Sequence, residues 1–313
     1  MAIVASVAAA TVATATLAPK SRRMLALILL VIVLAAGLVA CRQKAAQDDT
    51  SNTNDDTSNA SHDTNNASYE TYDTSYDIGE VNYEVISQTY AEAGIQIDYP
   101  QMRNLGDPAK ESAINEMIKD EALKILLCYQ LEEAESKVNL EVAFKVTWQG
   151  KGLLSVQYSG YGYVEGAAHP NQLFYTTNIN LISGKTFRLA DVVVIDRAFV
   201  DQFRGGELVS GAEEEAVIDE LKAALQDYLS FSTDDDDLMA RFHKADFSGD
   251  ATTAAAGGVV DRAEIYSYFT EDSLGISIQV PHVLGDYARY ELQYSDIEGN
   301  INKENEIWRE ILR

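Results

Sequence analysis

Two cysteines, Cys41 and Cys128, are all that 313 residues contain. Cys41 belongs to a processing signal described below, so one thiol remains and no intramolecular disulfide is expected. Basic residues are also scarce: 24 Lys and Arg face 49 Asp and Glu, a formal net charge of −25. Residues 1–40 carry only Lys20, Arg22 and Arg23, which leaves −28 on residues 41–313. Such a balance argues against nucleic acid, whose phosphates need a basic face, and against direct docking on anionic lipid. Cationic partners suit it better. Catalytic signatures are missing as well: there is no G-x-S-x-G, no H-E-x-x-H and no paired-cysteine pattern. Only four histidines occur, and no metal-ligand spacing connects His243 with His282. Neither Asp234–Asp237 nor Asp246–Asp250 has the alternating ligands and sixth-position glycine of a calcium loop. No cofactor and no metal are expected.

What is present begins with a basic segment, Lys20-Ser21-Arg22-Arg23, followed by the apolar run 24–40 and Leu38-Val39-Ala40-Cys41. Positive flank, short apolar stretch and small residues at the cut make a signal peptide over 1–40. LVAC is similar to the bacterial lipobox, so Cys41 is the expected lipidation site. The competing reading is a transmembrane anchor, for which the run falls short of the ~20 residues that cross a bilayer. Residues 41–80 are rich in Asp, Asn, Ser and Thr, with almost nothing apolar. Such a segment cannot bury enough surface to offset chain entropy and reads as a disordered tether. The protein is therefore expected to be exported and lipid-anchored on the outer face of the bacterial cytoplasmic membrane.

From Val81 onward the pattern changes. Strands are expected over Val81–Tyr90 and Gly94–Tyr99, then a helix from Asp107-Pro108 to about Leu127 with Ile114, Met117, Ile118, Ala122, Ile125 and Cys128 as its buried stripe. Leu140, Val142, Phe144, Val146 and Trp148 alternate with polar neighbours in the clearest strand of the chain. Further strands follow at Leu154–Tyr163 and Leu173–Ile182, and an amphipathic helix at Glu213–Leu229 buries Val217, Leu221, Ala224, Leu225 and Tyr228. Ser232–Gly258 reads as a loop, Glu264–Val280 as a hairpin, Arg289–Tyr294 as a last strand and Glu304–Leu312 as a closing helix. Grouped strands with helices between them indicate an α+β fold, an antiparallel sheet packed with two or three helices.

The stretch Glu165–Gln172 (EGAAHPNQ) holds His169 between two strands. Gly166 and Pro170 are turn residues, and Pro170 pushes His169 toward extended backbone. Glu165 and His169 are the only plausible acid–base pair, yet a turn that fixes the bend or contacts a ligand explains His169 better than catalysis does. Tyr158, Tyr161, Tyr163 and Tyr175 gather around this bend, where they serve either cross-strand packing or ligand contact.

Taken in order, IQIDYPQM, the INEMI helix, LLSVQYSGYGYVEGAAHPNQ and TTNINLISGKTFRLADVV resemble the extracellular module shared by the anti-sigma factor RsiV and the peptidoglycan deacetylase PdaC. The later EIYSYFTEDSLGISIQVPHVLGDYARYELQYSDI looks like that module's closing hairpin and final strand. The most specific parts are the A-A-H-P turn and the N-x-x-L-x-x-G-K-x-x-x-L run from Asn178 to Leu189. The resemblance implies a first, PdaC-like half at 81–182 and a second, RsiV-like half at 183–313. It also implies binding at the cell envelope, since the RsiV module is a lysozyme receptor. Two features depart from these relatives: the segment before the apolar run is too short for a sigma-binding region, and a separate deacetylase domain is not evident. The expected partner is accordingly a cationic protein such as lysozyme, or peptidoglycan glycan, with Tyr161, Tyr163, Glu165, His169 and Asn171 as contact residues. The alternative is an envelope protein that modifies peptidoglycan.

Overall fold

Alternation with period two makes a strand wherever one face of a sheet is covered, and the chain follows it from Glu84. The computed structural model describes residues 82–129, 137–210, 214–246 and 263–312, all within one compact unit, Ser68–Arg313. The expected signal peptide, its lipidation site Cys41 and the expected tether lie outside the described residues. No helix among the described residues is long and apolar enough to cross a membrane.

The first sheet has the order β1 (Glu84–Glu92), β2 (Ile95–Arg103), β3 (Val138–Gln149), β4 (Leu153–Val164), β5 (Asn171–Asn180) and β6 (Lys185–Thr186). All neighbours are antiparallel except β2 and β3, which are parallel. A parallel pair needs a crossover, and helix α1 (Pro108–Leu123) provides it. Its start is set locally: Asp107 accepts from the backbone N–H groups of Ala109 and Lys110, and Pro108 occupies a position where no hydrogen bond is lost. Ile114, Ile118 and Ala122 then pack on the sheet, joined by Ile125 from the 3-10 turn Lys124–Tyr129. Burying each of the isoleucines stabilises the fold by roughly 1.5–3 kcal/mol. Met117 and Cys128 lie half-buried at the edge of this stripe, so Cys128 is less enclosed than its helical spacing implies.

The second sheet is antiparallel, in the order β7 (Glu207–Leu208), β10 (Tyr287–Gln293), β9 (Ser273–Gln279) and β8 (Ile265–Phe269). Around it stand α2 (Leu189–Val192), α3 (Arg197–Gly205), α4 (Glu215–Ser232), α5 (Asp235–His243) and α6 (Trp308–Ile311). The architecture is α+β, with the expected strands divided between two sheets.

Four local expectations change. Helix α5 replaces part of the expected loop, because Asp234 caps it through the Asp237 N–H and Asp235–Asp237 sit at the positive end of its dipole. Leu238 and Phe242, one turn apart, are fully buried, and Phe242 meets Phe199 and Phe203 edge-on at 5.3 and 5.1 Å. In α4 the buried stripe runs through Leu225 and Leu229, leaving Val217 exposed. The closing helix shrinks to four residues because turns occupy 303–307. In β3 the register slips between Val146 and Trp148. This bulge buries Thr147 and turns Trp148 away from the α1 side into the core of the second sheet.

Strand β8 is an edge whose outward backbone groups need partners, and the first sheet supplies them. The Ser267 carbonyl accepts from Thr176 Oγ1 at 2.6 Å and from Asn178 Nδ2 at 2.9 Å. Phe269 N–H donates to Ser155 Oγ, which in turn donates to Asn178 Oδ1. On the same edge, Ser267 N–H and Oγ–H both donate to Asp246, whose carboxylate also takes the Leu189 N–H. Asp246 keeps some exposed surface as a residue, but its carboxylate is enclosed. Desolvation pushes its pKa up to about 6 against the pull of those donors.

Candidate functional site

Strands β4 and β5 extend past the region covered by the second sheet. From Leu153 to Tyr158 β4 is buried on both faces, whereas Ser159 and Tyr161 are exposed. Alternation and register place Ser159, Tyr161 and Tyr163 on one face beside Asn139, Glu141 and Ala143 of β3. The opposite face is tight: a Cβ on Gly162 would stand 2.0 Å from the Tyr129 hydroxyl. Glycine there lets the 3-10 turn close onto the strand.

Tyr161 is 43% exposed, and its hydroxyl donates to Glu141 Oε2 at 2.5 Å. That hydrogen bond and the carboxylate's charge keep the phenol protonated to higher pH than usual. Tyr163, half-buried, sits opposite Asn139. Glu165 is exposed and pairs with Lys137 at 3.8 Å, while its N–H donates to the Lys137 carbonyl. Asn171, exposed, opens β5 opposite Gly162. The bend between them closes with the Ala167 N–H donating to the Val164 carbonyl and with Gly166 at φ +92°.

His169 projects from this bend onto a residue 113 positions away in sequence. Its ring stacks on that of His282 with centroids 3.5 Å apart and 5° between planes. His282 lies in the 3-10 turn His282–Leu284, which joins β9 to β10. His282 Nδ1 lies 2.9 and 3.0 Å from the two Asp286 oxygens, and Asp286 also accepts the Gln172 N–H at 2.7 Å. A carboxylate accepts only, so Nδ1 of His282 carries the proton. Asp286 thus ties the start of β5 to the second sheet. Behind it lies a narrow cleft lined by Phe174, Glu264, Tyr266, Ser277, Gln279 and Tyr287, with room for about one water molecule.

These contacts decide what the arrangement can do. Glu165 pairs with Lys137, and the His169 ring stacks on that of His282. Parallel rings do not converge their nitrogen lone pairs, and among the described residues no three His, Cys, Asp or Glu side chains are placed to hold a metal ion. The cleft is too small for a substrate. What remains is an open sheet face bearing Tyr161, half-covered Tyr163 and the Glu141 carboxylate, suited to contact with a large ligand. The other tyrosines of the region pack inside. Tyr158 stacks on Tyr175 at 4.7 Å on the helix side, and the Tyr175 hydroxyl donates to the Ala122 carbonyl. His282, Asp286, Glu141 and Lys137 join the predicted residues here without any local signal. Their signal is pairing across strands, which a linear reading does not contain.

Residues 86–172, from β1 to the start of β5, match the family model described as the deacetylase PdaC. Over this segment the chain is similar to the PdaC module. All five expected contact residues fall inside the module. A DUF3298 family member from Bacteroides fragilis resembles the chain at 15% identity and a TM-score of 0.38, covering 75% of this chain and 98% of its own. A DUF3298 family protein from Pseudomonas aeruginosa does so at 16% identity and 0.33, covering 72% and 96%. No curated protein matches the chain.

Proposed function

We propose that the protein is an envelope lipoprotein, anchored through Cys41, whose module binds a cationic protein of the lysozyme kind on the open face around Tyr161. The observation that carries this reading is the exposed Tyr161 held in place by Glu141 on an open sheet face. An aromatic ring whose orientation is already fixed loses little freedom on binding, and such rings anchor interfaces. Charge supports the same partner class: residues 81–313 hold 40 acids and 19 bases, a net −21. Long-range attraction then speeds encounter and weakens with salt.

The test is a titration of the full-length protein, in mild detergent, with a basic lysozyme at low and at physiological salt. Saturable binding that weakens with salt is expected, and Tyr161→Ala should accelerate dissociation more than it slows association. If the folded protein binds at neither salt concentration, the lysozyme assignment is wrong and peptidoglycan glycan is the next ligand to titrate. Acyl labelling that survives Cys41→Ala would remove the lipid anchor from the proposal.

A further inference from the structure

The bend that carries the proposed ligand face is fastened to the second sheet by a stack of two imidazoles and one carboxylate. Imidazole ordinarily gains its proton between pH 7 and 6, and this stack leaves little compensation for two positive charges. We propose that His169, His282 and Asp286 form a proton-operated clasp: closed when the imidazoles are neutral, and opened by protonation of both.

The charges around the stack support this. Asp286 bonds His282 directly and offsets one proton. The other carboxylates near the bend and cleft are already engaged: Glu165 with Lys137 at 3.8 Å, Glu264 with Arg241 at 2.6 Å, and Glu291 with the Tyr268 hydroxyl at 3.0 Å. On β10, Arg289 lies over the Phe174 ring at 5.6 Å, a further positive charge on the cleft side, and Tyr287 lines the cleft. Helix α4, which packs on 282–284, carries Glu215, Asp219, Glu220, Lys222 and Asp227, all exposed and screened by solvent. Two imidazolium rings 3.5 Å apart therefore share one carboxylate. Their repulsion acts on the ring contact that His169 makes with the second sheet's turn, at the tip of an exposed bend closed by few backbone bonds among the described residues. Separation of the rings frees Glu165–Pro170 from the second sheet and lets the strand end bearing Tyr161 and Tyr163 move.

This inference rests on the ligand-face reading for its consequence but not for its test. Amide exchange over residues 165–172 is measured in the full-length protein at pH 7.5 and 5.0, corrected for the intrinsic pH dependence of exchange. Opening should raise exchange at pH 5.0 by about tenfold, the factor for two like charges a few ångströms apart whose repulsion is screened by water at an exposed turn. His169→Phe keeps a flat ring for stacking but cannot be charged, and should hold the change below about twofold on the same reasoning. His243→Gln, a surface histidine at the end of α5, should respond as the unaltered protein does. Exchange that is flat between the two pH values in the unaltered protein, or that rises equally in His169→Phe, overturns the clasp. Lysozyme binding is followed separately. Its absence alongside a pH-dependent bend refutes the ligand assignment and leaves the clasp standing.

Discussion

The same two strands, β4 and β5, pass through two different environments. At one end Ser155, Thr176 and Asn178 are buried and spend their hydrogen bonds on the edge of β8. At the other end Tyr161, Glu165 and Asn171 are exposed and make short-range pairs or none on the second sheet. Polar residues in the first region decide how two sheets dock. In the second they form the open surface of the sheet. Asn178, which opens the most specific motif of the chain, belongs to the first group. Gly184, at φ +67°, turns the chain after β5, and the N–H of Leu189 closes on Asp246. That motif is an interlock, and only the A-A-H-P turn reaches the open face.

The comparison is broken most severely at Asn178. Asn178→Ala leaves the Ser155 hydroxyl without its acceptor and deprives the Ser267 carbonyl of one of its donors inside the protein. A loss of about 3 kcal/mol is expected from thermal or urea unfolding of the full chain. A change under 1 kcal/mol would mean that the Asn178 hydrogen bonds contribute little to the docking of the sheets, leaving it to Thr176, Ser155 and apolar contact.

Gly150→Ala comes next. Glu310 reaches from α6 to the β3–β4 turn, where its carboxylate accepts the Gly152 N–H at 2.6 Å, and a Cβ on Gly150 would stand 1.6 Å from Glu310 Oε1. The flexible carboxylate is displaced rather than the backbone, and Trp148 Nε1, which the same Cβ would meet at 2.6 Å, must shift as well, so the cost is at least the charge-assisted hydrogen bond of Glu310, about 2 kcal/mol. Combining Gly150→Ala with Glu310→Ala should add little further loss, which a double-mutant cycle measures.

Asp246 produces a smaller, pH-dependent effect. Its folded pKa, about 6, lies above the unfolded value near 3.8, so its contribution to stability is full below about pH 4 and is lost as pH rises through about 6. Between pH 7 and pH 5 this group alone should add about 1 kcal/mol of stability, on the integrated linkage relation. Unfolding curves of the unaltered protein and of Asp246→Asn at the two pH values isolate it. An equal pH response in both removes Asp246 as the source.

Tyr161→Ala should change stability by no more than about 0.5 kcal/mol, as exposed substitutions generally do, while altering ligand dissociation. A loss of several kcal/mol would show that Tyr161 is part of the framework and erase the contrast between the two ends of β4.

Much of the framework was legible in the linear pattern because its causes are local. Asp107-Pro108 starts α1 with its own side chain and ring, and alternation from Leu140 identifies β3. Helix α5 was not legible, since its two anchors, Leu238 and Phe242, are outnumbered by acids and find their partners on α3. The bulge at Thr147 escaped for a similar reason: one extra residue changes the face of Trp148 only once β4 is beside it. At the site, the turn around His169 followed from Gly166 and Pro170, but its contact with His282 did not.

By itself, the sequence determined the spacing of strands, the start of α1, the acidic balance and the presence of a turn at Glu165–Pro170. Each follows from side-chain size, backbone restriction or charge counted along the chain. Tertiary structure alone decided that Asn178 and Asp246 seal an edge, that Tyr158 turns inward while Tyr161 faces solvent, and that His169 meets His282. Those outcomes depend on which strands become neighbours, and a hydrogen bond or ring stack across a hundred residues leaves no periodic trace in the chain.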